Sequence, residues 1–388
     1  IWRFFFFNNQ RSGTDLGMFV NLMASSPFYK LANLVSGLFK NLLNITIFAW
    51  FEPVYTHLNS LRLKDFLFIA GLALLGALFV FFLYRATHKG EDEPSLDKKE
   101  HLQMLVVGLI TVIATSLPIV FVDRAVTFDG YGKYSLSGMI GGILVLAALM
   151  HYVMKPGIRA LLVSFLIFSA MVTQLAVGTV MAADWQGSKD LWWQLSWRAP
   201  SLKPGTLLTG RSVDYNIVEG FNIWGPVNMM YYPEAKNPVV MAETLNKTLI
   251  QNVQMDKDPQ RDFRTYMLNM EASNLLVMSV PSDVSCLHLV DGSAADYSIY
   301  ENSDIQLIGA YSKLGQIDLD AAGTTPPVVM FGDEPSHGWC YYYQKGELAL
   351  QKGEYEEVTR LWEDAQSKDL HPDDKIELLP FIKAYAQL

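Results

Sequence analysis

The chain has 388 residues, of which 51% are apolar and 18% charged, with a formal net charge of −9. The charge is uneven: residues 1–182 hold 14 Lys+Arg against 10 Asp+Glu (net +4), and residues 183–388 hold 16 against 29 (net −13). An acidic second half excludes a nucleic-acid surface, which needs a basic face. The sequence also has no P-loop, no dinucleotide glycine fingerprint and no HExxH.

The chain opens on "IWRFFFFNN", which is neither a Met start nor a signal-peptide layout. The expectation is a fragment of a longer membrane protein. Residues 31–51, "LANLVSGLFKNLLNITIFAWF", form an apolar run broken by Lys40, Asn41 and Asn44. Such polar groups are costly in lipid unless they snorkel or face protein. The run is therefore either a span lining a bundle or an amphipathic interface helix. Four cleaner runs follow, at 66–84, 103–121, 137–154 and 160–182. Each meets or approaches the roughly 20 apolar residues that a bilayer core demands. The small residues of "SGMIGG" suit close helix contact in lipid. The fold class expected for residues 1–182 is thus a transmembrane bundle of four to five helices.

Positive loops set the orientation. The 85–102 loop carries Arg85, Lys89, Lys98 and Lys99, and the 155–159 turn carries Lys155 and Arg159. Both are expected on the cytoplasmic side, with the 122–136 loop outside. The chain is then outside again after residue 182, which gives a multi-pass protein of the cytoplasmic (inner) membrane with an extracytoplasmic C-terminal half.

Residues 183–205 contain Trp185, Trp192, Trp193 and Trp197 at helical spacing, then Arg198 and Pro200. Indoles favour the headgroup layer. The reading is an interfacial collar, with Arg198 meeting lipid phosphate or a domain carboxylate and an aromatic sugar platform as the alternative. Residues 206–335 hold short apolar runs of strand length at 206–210, 274–280, 286–292, 304–311 and 327–332. A helix is expected over 237–254, with Asn237 as its cap and Pro238 at its first position. An exported α/β domain with a mixed sheet follows from this pattern. Cys286 and Cys340 both lie in this half, where an oxidising compartment lets them pair; two buried free thiols are the other reading. His288 lies near Cys286 (Cys-x-His) and His337 near Cys340 (His-x-x-Cys), but not at usual zinc spacing, and no metal site is assigned. Residues 336–388 predict a helical hairpin turning at Gly353, then a terminal helix, together capping the α/β domain.

The order of these parts, with "WWQLSWRAPSLKPGTLL", "CLHLVDG" and "YYYQKGELALQKGEYEEV", is similar to the C-terminal part of bacterial polytopic membrane proteins that resemble GT-C class glycosyltransferases. The hairpin, through Gly346, Gly353–Tyr355, Val358, Trp362 and Ala365, resembles a tetratricopeptide unit. The GT-C resemblance implies a polyprenyl-phosphate-linked sugar used at the extracytoplasmic face. It also implies a catalytic acid in an earlier outside loop, which a fragment would lack.

The 122–136 loop holds the residues such chemistry needs. Arg124, Lys133 and Tyr134 are candidates to bind a lipid phosphate, and Asp123 and Asp129 are candidates for the general base. The plainer reading makes the cations and tyrosines interface anchors and the aspartates solvated. No cofactor is fixed beyond a divalent metal accompanying the donor. The expected partners are membrane lipid, a polyprenyl-phosphate sugar, and a protein docked on the acidic exported domain. The competing function is a non-catalytic membrane subunit or scaffold.

Overall fold

The computed structural model describes residues 24–52, 55, 61–87, 97–121, 124–128, 132–263, 266–294 and 296–388. The chain divides into two compact units, residues 1–182 and 183–388.

The described residues of the first unit are mostly helical. They comprise α1 (Pro27–Thr46, followed by a 3-10 turn at Phe48–Trp50), α2 (Leu63–Thr87), α3 (Lys98–Phe121), α4 (Met139–Val153) and the start of α5 (Pro156–Arg198). Among the described residues, four segments are long and apolar enough to cross a membrane: Pro27–Trp50, Leu63–Thr87, Lys98–Phe121 and Pro156–Arg198. The run at 137–154, expected to span, forms a shorter helix than those four. Its helix has 15 residues and rises about 22 Å, short of the roughly 30 Å of a hydrocarbon core. A 3-10 turn at Gly132–Ser135 precedes it, and extended Met154 stops it two residues before Pro156. Residues 31–51, by contrast, lie in a segment of spanning length.

The polar residues of α1 have protein partners. Asn41 Oδ1 accepts the Val126 N–H at 2.9 Å, and Asn44 Nδ2 donates to the Val126 carbonyl at 2.6 Å. Two asparagines one turn apart thereby satisfy both backbone groups of one buried loop residue, the condition for irregular backbone in apolar surroundings. Val126 packs with Ile45 and Val112. On α3 the buried residues Gly108, Val112, Ser116 and Val120 form one stripe at four-residue spacing. There α4 comes into backbone contact: a Cβ on Gly108 would lie 2.8 Å from the Gly141 carbonyl oxygen, and one on Gly141 would lie 2.7 Å from that of Gly108. This is the small-residue contact expected of "SGMIGG".

The second unit is a three-layer α/β/α domain. Its central sheet contains β2 (Leu207–Ser212), β3 (Met241–Ala242), β6 (Leu275–Val280) and β7 (His288–Leu289), in the order β3-β2-β6-β7. β2 is parallel to β3 and to β6, with Leu207 opposite Leu275 and Ser212 opposite Val280, while β7 returns antiparallel to β6. Two small antiparallel pairs flank the sheet: β1 (Ser201–Leu202) with β8 (Ile317–Asp318), and β4 (Gln260–Phe263) with β5 (Tyr266–Asn269).

Side chains alternate across a strand, and β6 shows why its run is wholly apolar. Leu276 and Met278 enter one core with Trp192 and Leu195 of α5 and with Ile223 and Val227 of α6 (Phe221–Tyr231). Leu275 and Val277 enter the other, with Leu249 and Val253 of α7 (Lys247–Gln254) and Ile305 and Ile308 of α8 (Ser303–Gly309). Both faces of the strand are covered, as the pattern of a buried parallel strand requires.

Three expectations for local structure are corrected. The run at 304–311 lies mostly in a helix (Ser303–Gly309), because Asn302 caps the Asp304 N–H and Ile305 and Ile308 share a helical face. Residues 327–332 hold a short helix, α9 (Val328–Phe331). The helix expected over 237–254 begins only at Lys247, where Asn246 accepts the Leu249 N–H at 2.9 Å; Met241 and Ala242 ahead of it belong to the sheet.

The C-terminal helices α10 (Trp339–Lys352), α11 (Tyr355–Ser367) and α12 (Leu379–Tyr385) enclose their own core of Tyr342, Ala349, Val358, Leu361, Ala365 and Phe381. Gly353 makes the turn at φ +77°, a left-handed conformation that favours glycine. Cys286 and Cys340 form a disulfide across 54 residues of sequence, joining β7's approach to α10.

Two stability predictions follow from these contacts. Gly141→Leu drives a side chain into the α3 backbone and lowers stability by about 1–3 kcal/mol, read as a fall in thermal midpoint in detergent; an unchanged midpoint would mean that α3 and α4 are not in backbone contact. Replacing both cysteines by alanine costs about 2–4 kcal/mol, measured by urea unfolding at fixed detergent.

Candidate functional site

Among the described residues, two places combine charge with a built environment. The first is the loop after α3. Arg124 Nη1 donates to the Tyr134 hydroxyl at 2.7 Å, and the Lys133 ammonium sits 5.9 Å from the Tyr134 ring centroid. The loop is held through Val126 by Asn41 and Asn44. The structure thus brings Arg124, Lys133 and Tyr134 together; Asp123 and Asp129 lie outside the described residues.

The second place lies in the 183–388 unit, beside the end of α5. Here the tryptophan reading is corrected. Trp192, Trp193 and Trp197 are 0%, 2% and 7% exposed. They are core residues of a folded domain and do not form a lipid-facing collar. The Trp192 indole donates to Ser188 Oγ at 3.2 Å, that of Trp193 to the Phe331 carbonyl at 3.2 Å, and that of Trp197 to Glu334 Oε1 at 2.9 Å. The physical reason is that α5 supplies one outer layer of the α/β/α domain, so its apolar face meets the sheet. Only Trp185 of the four is substantially exposed, at 49%. Arg198, proposed to meet lipid phosphate, is 1% exposed and approaches Glu347 of α10, Nη2 to Oε2 at 3.9 Å. Of its two proposed partners, it meets the domain carboxylate. Burial pushes its guanidinium below the ordinary arginine value, and Glu347 pulls it back.

The stretch Ser285–His288 fixes this region. Ser285 Oγ donates to Asp374 Oδ2 at 2.7 Å, and the Cys286 N–H donates to Glu377 Oε1 at 2.6 Å. The Leu287 N–H donates to Gln194 Oε1 at 2.7 Å, while Gln344 Nε2 donates to the Leu287 carbonyl at 2.6 Å. His288 Nε2 lies 3.2 Å from Glu377 Oε1. Four consecutive residues are tied to α5, to α10 and to the segment before α12. Burial, with Glu347 and Glu377 nearby, holds the Tyr343 phenol well above its usual range.

His288, Asp374 and Glu377 offer ligand-type atoms within 4.8 Å of one another. Their oxygens already serve protein donors. Glu377 Oε1 takes the Cys286 N–H, Glu377 Oε2 takes the Trp339 indole at 2.6 Å, and Asp374 Oδ2 takes the hydroxyls of Ser285 and Ser298. The disulfide commits both cysteine sulfurs, and His337 is stacked on Tyr341 at 3.6 Å. The donor set fits a structural network better than a metal centre. Sequence reasoning missed Gln194, Gln344, Asp374 and Glu377, none of which sits in a recognisable motif.

Beside this network lies a cavity of about 390 Å³, lined among others by Arg198, His288, Asp291, Glu301, Tyr343 and Glu347. No family model matches the chain, and comparison with curated proteins and with solved structures gives no match either.

Truncating Glu377 to alanine strands two buried donors and costs about 3–5 kcal/mol, read by urea unfolding of the full chain in detergent. Trp192→Ala costs a similar 3–5 kcal/mol and leaves membrane extraction behaviour unchanged. A Trp192→Ala protein of full stability that extracts more easily from membranes would restore the collar.

Proposed function

We propose that the chain is a membrane glycosyltransferase of GT-C type, or the C-terminal part of one, using a polyprenyl-phosphate-linked sugar at the extracytoplasmic face. The observation that carries this reading is the described part of the loop after α3, residues 124–128 and 132–135. Its backbone is clamped by Asn41 and Asn44, and it presents Arg124 on Tyr134 with Lys133 alongside. A cation prepositioned on a fixed loop loses little entropy when it meets a phosphate, and a guanidinium matches phosphate geometry in two hydrogen bonds. Asp123 and Asp129 flank this cation in sequence and supply carboxylates for accepting the acceptor hydroxyl proton. The extracytoplasmic side is supported by the Cys286–Cys340 disulfide, since such bonds persist in oxidising compartments. That side requires α4, despite its 15 residues, to cross with its flanking turns in a locally thinned bilayer.

Sugar transfer from a polyprenyl-phosphate donor by the full-length protein in proteoliposomes tests the reading. Arg124→Ala lowers transfer by roughly a hundredfold, while Arg124→Lys retains part of it, with protein level and thermal midpoint unchanged. Undiminished transfer in Arg124→Ala, Asp123→Asn and Asp129→Asn alike would remove the loop from the mechanism. The non-catalytic docking subunit would then be the better account.

A further inference from the structure

The cavity beside β7 is built around a charge whose hydrogen bonds are unmade. Arg198 closes α5, lines the cavity and is 1% exposed. Neither of its Nη atoms has a hydrogen-bond partner among the described residues. Its ion-pair partner, Glu347 Oε2, stands off at 3.9 Å, beyond the roughly 2.7–3.2 Å of an N–H···O bond. A buried guanidinium normally spends its donors on a carboxylate or phosphate fork. This one is held in place with the fork open.

The remaining lining narrows what could close it. Asp291, Asp296, Glu301 and Glu347 line the cavity against Arg198 and Lys383. Lys383 is already paired with Asp296, at 2.7 Å. Three carboxylates therefore share the space with one unsatisfied guanidinium. A phosphate or nucleotide would meet that acidic field and be repelled. A simple amine would leave the Arg198 fork open, and an apolar molecule would answer neither charge. The occupant that answers both carries a carboxylate for Arg198 and an ammonium for the acids. Leu289, Leu350 and Leu379 supply apolar wall for a side chain, and the volume of about 390 Å³ lies in the range of small-molecule sites.

We infer that this cavity binds a free amino acid, its carboxylate on the Nη pair of Arg198 and its ammonium among Asp291, Glu301 and Glu347. Both Nη atoms are covered by protein. Entry therefore turns the Glu347 carboxylate, whose side chain is 24% exposed, away from its long approach to Arg198. Ligand carboxylate replaces protein carboxylate on the guanidinium, and Glu347 is released to accept from the ammonium. No bond is made or broken. The site lies wholly within residues 183–388 and stands or falls apart from the lipid-phosphate reading.

Isothermal titration of the full chain in detergent tests this with L-leucine and L-glutamine. Two half-ligands accompany them: isocaproate, which lacks the ammonium, and isopentylamine, which lacks the carboxylate. The expected result is saturable binding of at least one amino acid, with each half-ligand at least about tenfold weaker. Arg198→Lys, Glu347→Gln and Asp291→Asn each weaken binding by about tenfold or more, with thermal unfolding confirming that each variant is folded. If Arg198→Lys fails to fold, the two acidic variants carry the test. No binding of either amino acid up to about 10 mM, half-ligands as tight as the amino acids, or wild-type affinity in every folded variant would overturn the inference.

Discussion

The second unit depends on one buried carboxylate. Glu377 has no exposed surface, and it accepts the Cys286 N–H and the Trp339 indole while standing against His288. A carboxylate is tolerated at such depth only when donors surround it. Here the donors come from the sheet edge and from α10, so the requirement to satisfy Glu377 draws two layers of the domain together. Asp374 repeats the device with Ser285 and Ser298. Gln194 and Gln344 do the same with the two backbone groups of Leu287. The disulfide lies in the middle of this polar seam. Because the seam fixes β7 and α10, it also fixes the wall of the cavity that Arg198 lines.

The first unit uses the same logic with fewer polar groups. Asn41 and Asn44 satisfy Val126, which lets a loop end pack against apolar helices without orphaned backbone. Elsewhere the helices rely on close approach, with Gly108 against Gly141. Lipid supplies no hydrophobic drive between helices, so small residues and a few hydrogen bonds carry the association. The asparagines of α1 thus do two things: they make the segment compatible with an apolar environment, and they set the loop that carries Arg124.

Much of this was legible in the sequence, for physical reasons that differ by element. Long apolar runs report themselves, so α2, α3 and the first part of α5 were plain; the length of α4 was not, because its end is set by the Gly132–Ser135 turn and by Pro156. β2 and β6 could be read because both faces of a central strand are buried. Residues 304–311 could not, because a short apolar run fits helix and strand alike, and the Asn302 cap decides it. The indoles of α5 were misplaced for a related reason. Helical spacing shows which of them share a face but not whether that face meets lipid or a sheet, and Trp192 meets a sheet. Arg198 was legible as a candidate, while its setting depends on Glu347, 149 positions away, and no local pattern encodes that pairing.

The central structural claim is a disulfide-bonded α/β/α domain in a chain that also carries helices long and apolar enough to cross a membrane. Non-reducing peptide mapping of the chain, extracted from native membranes under an alkylating agent, tests it most directly. The account predicts a covalently linked pair of peptides containing Cys286 and Cys340. Two separately alkylated cysteines would contradict the bond that joins β7's approach to α10 and remove the support it lends to the proposed extracytoplasmic side.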